Sequence, residues 1–248
     1  QGRRGARVGV GRAPAGPALS VRLEPEPAGW RRPRLGLADV RISYRPVGDE
    51  GRGRIQAVDG VSRALEPGES LGLAGESGCG KSTLALSVLR LLPANATVEG
   101  QILLGDDDIT LASWGRLRAV RWTEAAVVFQ GAMHSLNPVQ RVGKQIAEAL
   151  RIHRSEVYRD EPARRARVAE LLGLVDLLPI RATSYPHELS GGQKQRIMIA
   201  MVLACDPELI IADEPSTALD VIVQAQVLKV LTDLVRERSL SLIMISHD

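Results

Sequence analysis

The segment SLGLAGESGCGKST (residues 70–83) decides the fold, because it joins a short apolar run, a glycine-rich turn and the start of a helix. Residues 75–82 match the pattern G-x-x-x-x-G-K-[ST], in which the glycines let successive backbone N–H groups point inward around a phosphate. The N-terminus of the following helix adds a partial positive charge at the same place. The stretch therefore predicts a strand, a phosphate-binding loop and a helix over Lys81–Leu92, which Pro93 ends.

The polar positions of this loop have separate predicted roles. Lys81 is expected to reach the β- and γ-phosphates of a nucleotide, and the Ser82 hydroxyl is expected to bind Mg²⁺. We interpret Cys79 as a small residue that fills the turn rather than as a reactive thiol. The residues predicted to contact the nucleotide phosphates are Gly75, Ser77, Gly78, Cys79, Gly80, Lys81, Ser82 and Thr83.

A second apolar stretch, residues 208–214, ends in two neighbouring acids. Opposite a phosphate loop, Asp213 would hold Mg²⁺ directly or through water, and Glu214 would orient and polarise the attacking water. By itself, the same pair would also fit a solvated strand end or a helix cap. Pro215 ends the predicted strand, and residues 216–220 lead into the next helix.

The stretch LSGGQ (residues 189–193) precedes a helix predicted over Lys194–Ala204. Ser190 is a suitable N-cap, and the two glycines permit an anion to approach the exposed N–H groups. A well-capped helix with a flexible entry is the alternative interpretation. Because the chain already has one γ-phosphate pocket, we interpret this turn as one that serves the nucleotide of another subunit.

Short apolar runs predict a mostly parallel, buried sheet rather than core helices. The runs that predict its strands are Ser70–Ala74, Ala125–Phe129, Leu209–Ala212 and Leu240–Ile245. Leu35–Tyr44 has the apolar alternation of a separate strand, and a second strand-like run through residues 57–61 follows a glycine-rich loop at 48–53. Residues 142–178 instead have helical spacing, which predicts a helical insert.

Composition and charge argue against several classes of protein. The chain has 248 residues, 44% of them hydrophobic, which is enough for one sizeable core and a smaller subdomain. Its net charge of +3 is uneven, since residues 1–34 carry eight arginines and two glutamates, and the slightly acidic remainder argues against a broad nucleic-acid-binding face. Two cysteines cannot build a disulfide framework, which fits a reducing compartment. No apolar run approaches the ~20 residues of a transmembrane helix.

Six motifs occur in an order that resembles the ATP-binding subunits of ABC transporters, over residues 35–248. They are Gly75–Thr83, Gln130, Leu189–Gln193, Leu209–Glu214, Ser216–Asp220 and His247. The resemblance implies an α/β fold with a P-loop NTPase (RecA-like) core, an antiparallel β subdomain and an inserted α-helical subdomain. We accordingly expect a disordered, basic, Pro/Gly-rich tail over 1–33 and one ATPase domain over 34–248, with the helical subdomain at residues 135–188.

The resemblance also implies roles in the chain's own nucleotide site, with ATP and Mg²⁺ as the ligands. Tyr44 looks like the aromatic residue that stacks on adenine, and a core or edge-strand tyrosine is the alternative. Gln130 would be a further Mg²⁺ ligand, would sense the γ-phosphate and would signal to the membrane partner. His247 would contact the γ-phosphate, so the catalytic group implied by the resemblance is Glu214, His247 and Gln130.

Other motif residues would act on the nucleotide of a second ATPase subunit. By the resemblance, Ser190 and Gly192, together with Gly191 and Gln193 of the same turn, would clasp the γ-phosphate of the opposite monomer. Asp220 would couple the two sites across the dimer. The partner ATPase would be either an identical chain or a paralogue.

Further segments narrow the resemblance to the oligopeptide, dipeptide and nickel importers. FQGAMHSLNP (residues 129–138) followed by VGKQI (142–146) is similar to that group, and GESGCG (75–80) and YPHELS (185–190) agree with it. The group implies permease subunits in the membrane, an indirectly contacted solute-binding protein and no nucleic acid. It also implies a peripheral position on the cytoplasmic face of the cell membrane.

Three alternatives stay open at this point. A soluble ABC ATPase that acts on DNA or ribosomes usually has long coiled-coil insertions, zinc modules or two cassettes, and none is visible in the sequence. An exporter motor is disfavoured by the importer-like segments. The third is an inactive fragment: the chain stops at Asp248, whereas family members continue, so we expect the C-terminal part to be missing and the last strand to have an open neighbour position.

Overall fold

The computed structural model describes residues 34–46, 53–129, 135–215 and 220–246. The predicted tail at 1–33 and most of the predicted loop at 48–53 lie outside these ranges. So do residues 216–219 and the site residues Gln130 and His247.

The described residues form eight strands and six α-helices, numbered here in chain order. The strands are β1 (Leu35–Tyr44), β2 (Ile55–Leu65), β3 (Ser70–Ala74), β4 (Ala96–Leu104), β5 (Asp107–Asp108), β6 (Ala125–Val128), β7 (Leu209–Asp213) and β8 (Ser241–Ser246). The α-helices are α1 (Lys81–Ser87), α2 (Trp114–Thr123), α3 (Val142–His153), α4 (Glu161–Leu174), α5 (Gly191–Leu203) and α6 (Val221–Arg238). Two 3-10 helices, Pro179–Thr183 and Pro186–Glu188, connect α4 to α5.

Four strands form a parallel sheet in the order β3-β8-β7-β6, which confirms the predicted α/β core. All five residues of β7 are buried, because this strand has a neighbour on each side and apolar residues on both faces. In a parallel sheet the carboxyl ends of all strands meet at one edge, where α/β proteins bind their ligands. The end of β7, with Asp213, therefore lies at the same edge as the loop that follows β3.

Two predictions about this sheet are wrong. Ser70–Ala74 was expected to be a buried strand, but among the described residues β3 is the outermost strand of the sheet, and its alternate residues, from Ser70 on, are exposed. The last strand was expected to have an open neighbour position, but β8 lies between β3 and β7 within the described residues. Strand order is a property of the assembled sheet, and the short runs that predict strands carry no information about it.

A second, antiparallel sheet has the order β2-β1-β4-β5. Its apolar side chains, among them Ile42 and Val58, pack in one hydrophobic cluster with Leu84 of α1 and Ile243 of β8. This cluster joins the two sheets across α1. It also fixes the end of β1, where Tyr44 pairs with Ile55 of β2, next to the parallel sheet.

Helix α1 is shorter than predicted, since it ends at Ser87 rather than at Leu92. Arg90 adopts a left-handed backbone with φ of +49°. Around it, the Leu91 N–H donates to the Leu86 carbonyl and the Arg90 N–H donates to the Ser87 carbonyl, each at 3.0 Å. These two bonds close the helix end in the manner usually provided by glycine. Because arginine stands at this position, the sequence pattern does not reveal the stop.

The helical spacing at residues 142–178 is confirmed by α3 and α4. Their buried residues, such as Leu150 and Leu171, share one hydrophobic cluster with Ile197 of α5 and Val230 of α6. The helical region is thus packed directly on the helices that flank β7. The subdomain limits at 135–188 stay a prediction.

Two arginines of this helical region hold the loop that leads into β7. The Arg154 guanidinium donates to the Cys205 carbonyl at 2.5 and 3.2 Å. Arg167 pairs with Asp206 at 2.6 Å and with Glu170 at 2.7 Å.

Burial raises the pKa of the Cys205 thiol to about 11, so this cysteine is a neutral packing residue at physiological pH. Both cysteines of the chain are free.

Candidate nucleotide-binding site

The loop between β3 and α1 wraps around the side chain of Lys81. The Lys81 ammonium donates to the Gly75 carbonyl at 2.5 Å and to the Glu76 carbonyl at 2.8 Å, and the residue is only 8% exposed. A buried ammonium needs acceptors around it, and the loop carbonyls provide them. The predicted phosphate-binding lysine is therefore held inside the curl of the predicted phosphate loop.

The last glycine of the loop is required by a close backbone approach. Gly80 has φ of +102°, and a Cβ atom there would lie 2.2 Å from the Ala57 carbonyl oxygen of β2. A side chain at this position would meet both a disfavoured backbone conformation and a fixed carbonyl. Gly80 thus lets the phosphate loop lie directly against the antiparallel sheet.

The predicted Mg²⁺ ligands Ser82 and Asp213 come together from different elements. The Ser82 hydroxyl, in the first turn of α1, donates to Asp213 Oδ1 at the end of β7 over 3.1 Å, and Asp213 is buried. Mg²⁺ prefers oxygen ligands and usually takes one or two from the protein, with nucleotide phosphates and water completing its shell. The described residues contain no group of three or more His, Cys, Asp or Glu side chains that could hold a metal alone. The Ser82–Asp213 pair fits an ion of this kind.

Glu214 lies at the point where the chain leaves β7. Its backbone has φ of +48°, a left-handed conformation that is unusual for glutamate, and its N–H donates to the Ile245 carbonyl of β8 at 3.2 Å. The residue is buried but lines the same cleft as Lys81. Strained backbones of this kind cluster at functional sites, where the surrounding structure holds them.

Lys81, Ser82 and Glu214 line one cleft with a volume of about 410 Å³, within the usual range for a small-molecule site of about 300–1,000 Å³. Asp213 is not part of the lining but bonds Ser82. Tyr44 forms part of its wall, and the Tyr44 hydroxyl donates to Thr83 Oγ1 at 3.2 Å. The ring is half-buried and also packs on the core of the antiparallel sheet. Tyr44 therefore packs on the core and also lies at the cleft, and its stacking on adenine stays a prediction.

Three further residues of this cleft are not predicted from the sequence. Ile55, Gln56 and Ala57 of β2 also line it. Ile55 lies there because the antiparallel register pairs it with Tyr44. That register follows from tertiary pairing, since a bulged strand cannot be aligned from its apolar pattern alone. A larger groove of about 720 Å³ runs along α3 and α4, and it contains none of the predicted site residues.

The loop that leads into α3 is held by Gln145, whose role is not predicted from the sequence. The buried side chain of Gln145 on α3 accepts from the Asn137 N–H at 2.9 Å and donates to the carbonyls of Asn137 and Gln140 at 3.0 and 2.8 Å. It thereby fixes the loop that enters α3. A signal was present in the sequence, because Gln145 falls on the apolar stripe of α3 beside Val142 and Ile146.

The second predicted anion turn is a complete capping box. Ser190 Oγ accepts from the Gln193 N–H at 3.3 Å, and Gln193 Oε1 accepts from the Ser190 N–H at 3.1 Å. The cap starts α5 at Gly191, three residues earlier than predicted. Among the described residues that line the cleft of Lys81, none belongs to the LSGGQ turn.

Asp220 occupies an equivalent position on the next helix. Its carboxylate accepts from the Val223 N–H at 3.0 Å and so caps α6. Gly192 and Val223 bring the first turns of α5 and α6 together. The structure thus groups Ser190, Gly192 and Asp220 on neighbouring helix starts, apart from the described lining of the cleft.

No α-helix among the described residues is both long and apolar enough to cross a bilayer. Gln130 and His247 lie outside the described residues, so their roles stay predictions.

Comparisons with known proteins agree with this geometry. Residues 58–217 match the sequence family described as ABC transporter. A Brucella abortus protein that is named as a peptide import ATP-binding protein is 46% identical over 219 residues, which cover 87% of this chain and 64% of that protein. The dipeptide transport ATP-binding protein DppD of Bacillus subtilis is 40% identical over 86% of this chain and 63% of its own length. The oligopeptide transport ATP-binding protein OppD of the same organism is 43% identical, with 86% and 59% covered.

Solved structures show the same fold. The ATP-binding cassette MJ0796, in a dimeric post-hydrolysis state bound to ADP and Pi, is 28% identical with a TM-score of 0.71, and the match covers 86% of this chain and 88% of that one. CbiO1 from Clostridium perfringens, part of the ABC transporter complex cbiONQ, is 25% identical with a TM-score of 0.71, over 88% and 80% of the two chains. The present chain spans 64% or less of the length of the curated relatives described above.

Proposed function

The chain belongs to the ABC transporter family, and on that basis we propose that it hydrolyses ATP as a motor subunit of a membrane importer for peptides. The observation that carries this proposal is the convergence of Lys81, the Ser82–Asp213 pair and Glu214 at one cleft. The names of the relatives support peptides as the cargo, in preference to nickel.

Phosphoryl transfer to water needs positioning and charge neutralisation more than covalent chemistry. Lys81 is the group that binds the β- and γ-phosphates. Its ammonium now bonds two neutral carbonyls, and phosphate oxygens are stronger acceptors because they are charged. We expect the lysine to exchange the carbonyls for phosphates when a nucleotide enters the cleft.

Ser82 and Asp213 are the residues that would hold Mg²⁺, which neutralises phosphate charge when it is bound. Glu214, at the end of the same strand, would orient a water molecule and accept its proton. Glu214 has a left-handed backbone and lines the cleft, which supports this role. Tyr44 would stack on the adenine from the part of the cleft wall that adjoins Thr83.

We propose further that each cleft is completed by the LSGGQ turn of a second ATPase subunit. The described lining of the cleft includes no residue of this turn, while Ser190 is exposed and the turn is rigidly capped. One of the solved structures that the chain resembles is a dimer bound to ADP and Pi, which supports such pairing. The paired subunits would bind permeases at the cytoplasmic face of the membrane, and ATP-driven closing and opening of the pair would power import.

The replacement Glu214→Gln tests this function. It removes the general base but keeps the size of the side chain, so we expect ATP binding to persist, hydrolysis to fall by about 10²–10⁴-fold, and an ATP-bound dimer to accumulate. Phosphate release, ATP titration and analytical ultracentrifugation measure the three effects. Cells that carry the variant should also lose peptide uptake.

Glu208→Gln is the matched control, because Glu208 immediately precedes β7 and pairs with Arg34 at the surface. It should hydrolyse ATP like the parent. Near-normal turnover of the Glu214→Gln protein would disprove the catalytic role assigned to that carboxylate.

A further inference from the structure

Gly192 in the first turn of α5 lies close to Val223 in the first turn of α6. Ser190 caps α5 and Asp220 caps α6, each within three residues of that contact. A Cβ atom at Gly192 would lie 2.2 Å from Val223 Cγ1 and 3.6 Å from Val223 Cβ. The first distance is far inside van der Waals contact, so the two helices approach as closely as a glycine allows.

The valine cannot easily turn away from such a Cβ atom. Its side chain is β-branched, and one χ1 rotamer is strongly preferred for valine in a helix. Val223 is also held at the start of α6, where its N–H donates to the Asp220 carboxylate at 3.0 Å. An added methyl group at residue 192 would therefore push the α5 turn away from α6.

The backbone of Gly192 does not itself require glycine. The residue lies within α5 and its φ is outside the left-handed region, so alanine would fit the conformation and is the better helix former. From the sequence, a glycine is expected here because it lets an anion approach the exposed N–H groups. The contact with Val223 gives an independent reason for it, and one that involves a residue outside the LSGGQ turn.

We infer that Val223 is a positioning residue for the site shared between two subunits. By packing on Gly192 it fixes the Ser190 turn relative to Asp220, so that the two groups predicted to face the partner are presented as one rigid unit. This inference rests on the proposed function, because it assigns Val223 to an interface that exists only if the LSGGQ turn acts on a second chain.

A suppressor experiment tests the inference in the Glu214→Gln protein, in which ATP-bound dimers accumulate. Gly192→Ala should weaken ATP-dependent dimerisation at least tenfold, measured by analytical ultracentrifugation at saturating ATP and Mg²⁺. Val223→Ala removes the Cγ atom that the new methyl group would strike. The Gly192→Ala/Val223→Ala protein should therefore dimerise within threefold of Val223→Ala alone.

Val235→Ala is the matched control. Val235 is half-buried like Val223 and lies on the same helix, but twelve residues further along, about 18 Å away. It should not restore dimerisation to the Gly192→Ala protein. ATP affinity of the separate subunits should be the same in all variants, since the cleft of Lys81 is unchanged; a general folding defect would lower it.

Three results would overturn the inference. If the double variant is as defective as Gly192→Ala alone, the glycine is needed for the partner's nucleotide and not for Val223. If Gly192→Ala dimerises like its parent, the contact does not position the turn. A Glu214→Gln protein that never dimerises with ATP would refute the proposed function and, with it, any role of Val223 at that interface. In that case the unfolding midpoints of the Glu214→Gln parent and of its Gly192→Ala, Val223→Ala and Gly192→Ala/Val223→Ala variants would still show whether the contact exists.

Discussion

Tyr44 links the predicted base-binding wall of the cleft to its phosphate side through one hydroxyl. Its bond to Thr83 Oγ1 joins the end of β1 to the first turn of α1, next to the Ser82–Asp213 pair. A ring fixed in this way loses little entropy when a base stacks on it, which favours binding. Because the hydroxyl bonds Thr83 and the ring is the part predicted to stack on adenine, the two contributions can be tested with separate replacements of Tyr44.

We expect Tyr44→Ala to weaken ATP binding by about 5–150-fold, which corresponds to the 1–3 kcal/mol of an aromatic–base stack. Binding of inorganic tripolyphosphate, which has no base, should be unchanged. Isothermal titration of both ligands measures the difference. Tyr44→Phe is the control that keeps the ring, and its loss for ATP should be several-fold smaller. An equal loss for both ligands would show that Tyr44 serves the phosphates instead.

At the scale of elements, α4 carries three ion-paired arginines, and two of them, Arg165 and Arg167, differ strongly in exposure. Arg167 is 7% exposed and joins Glu170 and Asp206, whereas Arg165 is 78% exposed and pairs with Glu161. Arg238 at the end of α6 reaches the same two carboxylates as Arg167, at 3.4–3.5 Å. The ion pairs among Arg167, Arg238, Glu170 and Asp206 therefore connect α4, the loop before β7 and α6.

Replacing these two arginines should separate a structural ion pair from a surface one. Arg167→Ala should lower the free energy of unfolding by about 1–3 kcal/mol, because it removes the packing of a buried side chain and the two charge-assisted hydrogen bonds that this side chain donates. Arg165→Ala should change it by less than about 1 kcal/mol, as is usual for exposed pairs. Urea denaturation followed by circular dichroism measures both. Similar losses for the two variants would argue that burial of Arg167 adds nothing.

At the scale of the whole molecule, the predicted phosphate loop and the LSGGQ turn occupy two separate places. Lys81 begins α1 and lines the cleft, whereas Ser190 caps α5, and the described lining of the cleft includes no residue of its turn. In the proposed function, each place therefore serves a different nucleotide, so hydrolysis should depend on pairing.

Ser190→Arg tests this division. The long side chain should block closure of the pair, so hydrolysis and ATP-dependent dimerisation should both be lost while a single subunit still binds ATP. Ser190→Ala controls for the lost N-cap, which is expected to reduce stability by about 0.5–2 kcal/mol. If Ser190→Arg abolished ATP binding as well, the turn would belong to the chain's own site.

The sequence by itself determined the features that depend on neighbouring residues. The phosphate loop at 75–82, the strand that ends in Asp213 and the cap at Ser190 follow from local spacing, since each needs only a few residues in a fixed order. The parallel sheet was also predictable, because buried parallel strands are continuous apolar runs.

Only the tertiary structure decided which of these features meet. The Ser82–Asp213 bond joins residues 131 positions apart, the register of β1 with β2 places Ile55 beside Tyr44, and the order of the sheet leaves β3 at its edge. The requirement for glycine at residue 192 comes from Val223 on another helix, and α1 stops at an arginine that adopts a left-handed backbone. Such contacts depend on how distant segments pack together, and local propensity does not encode that packing.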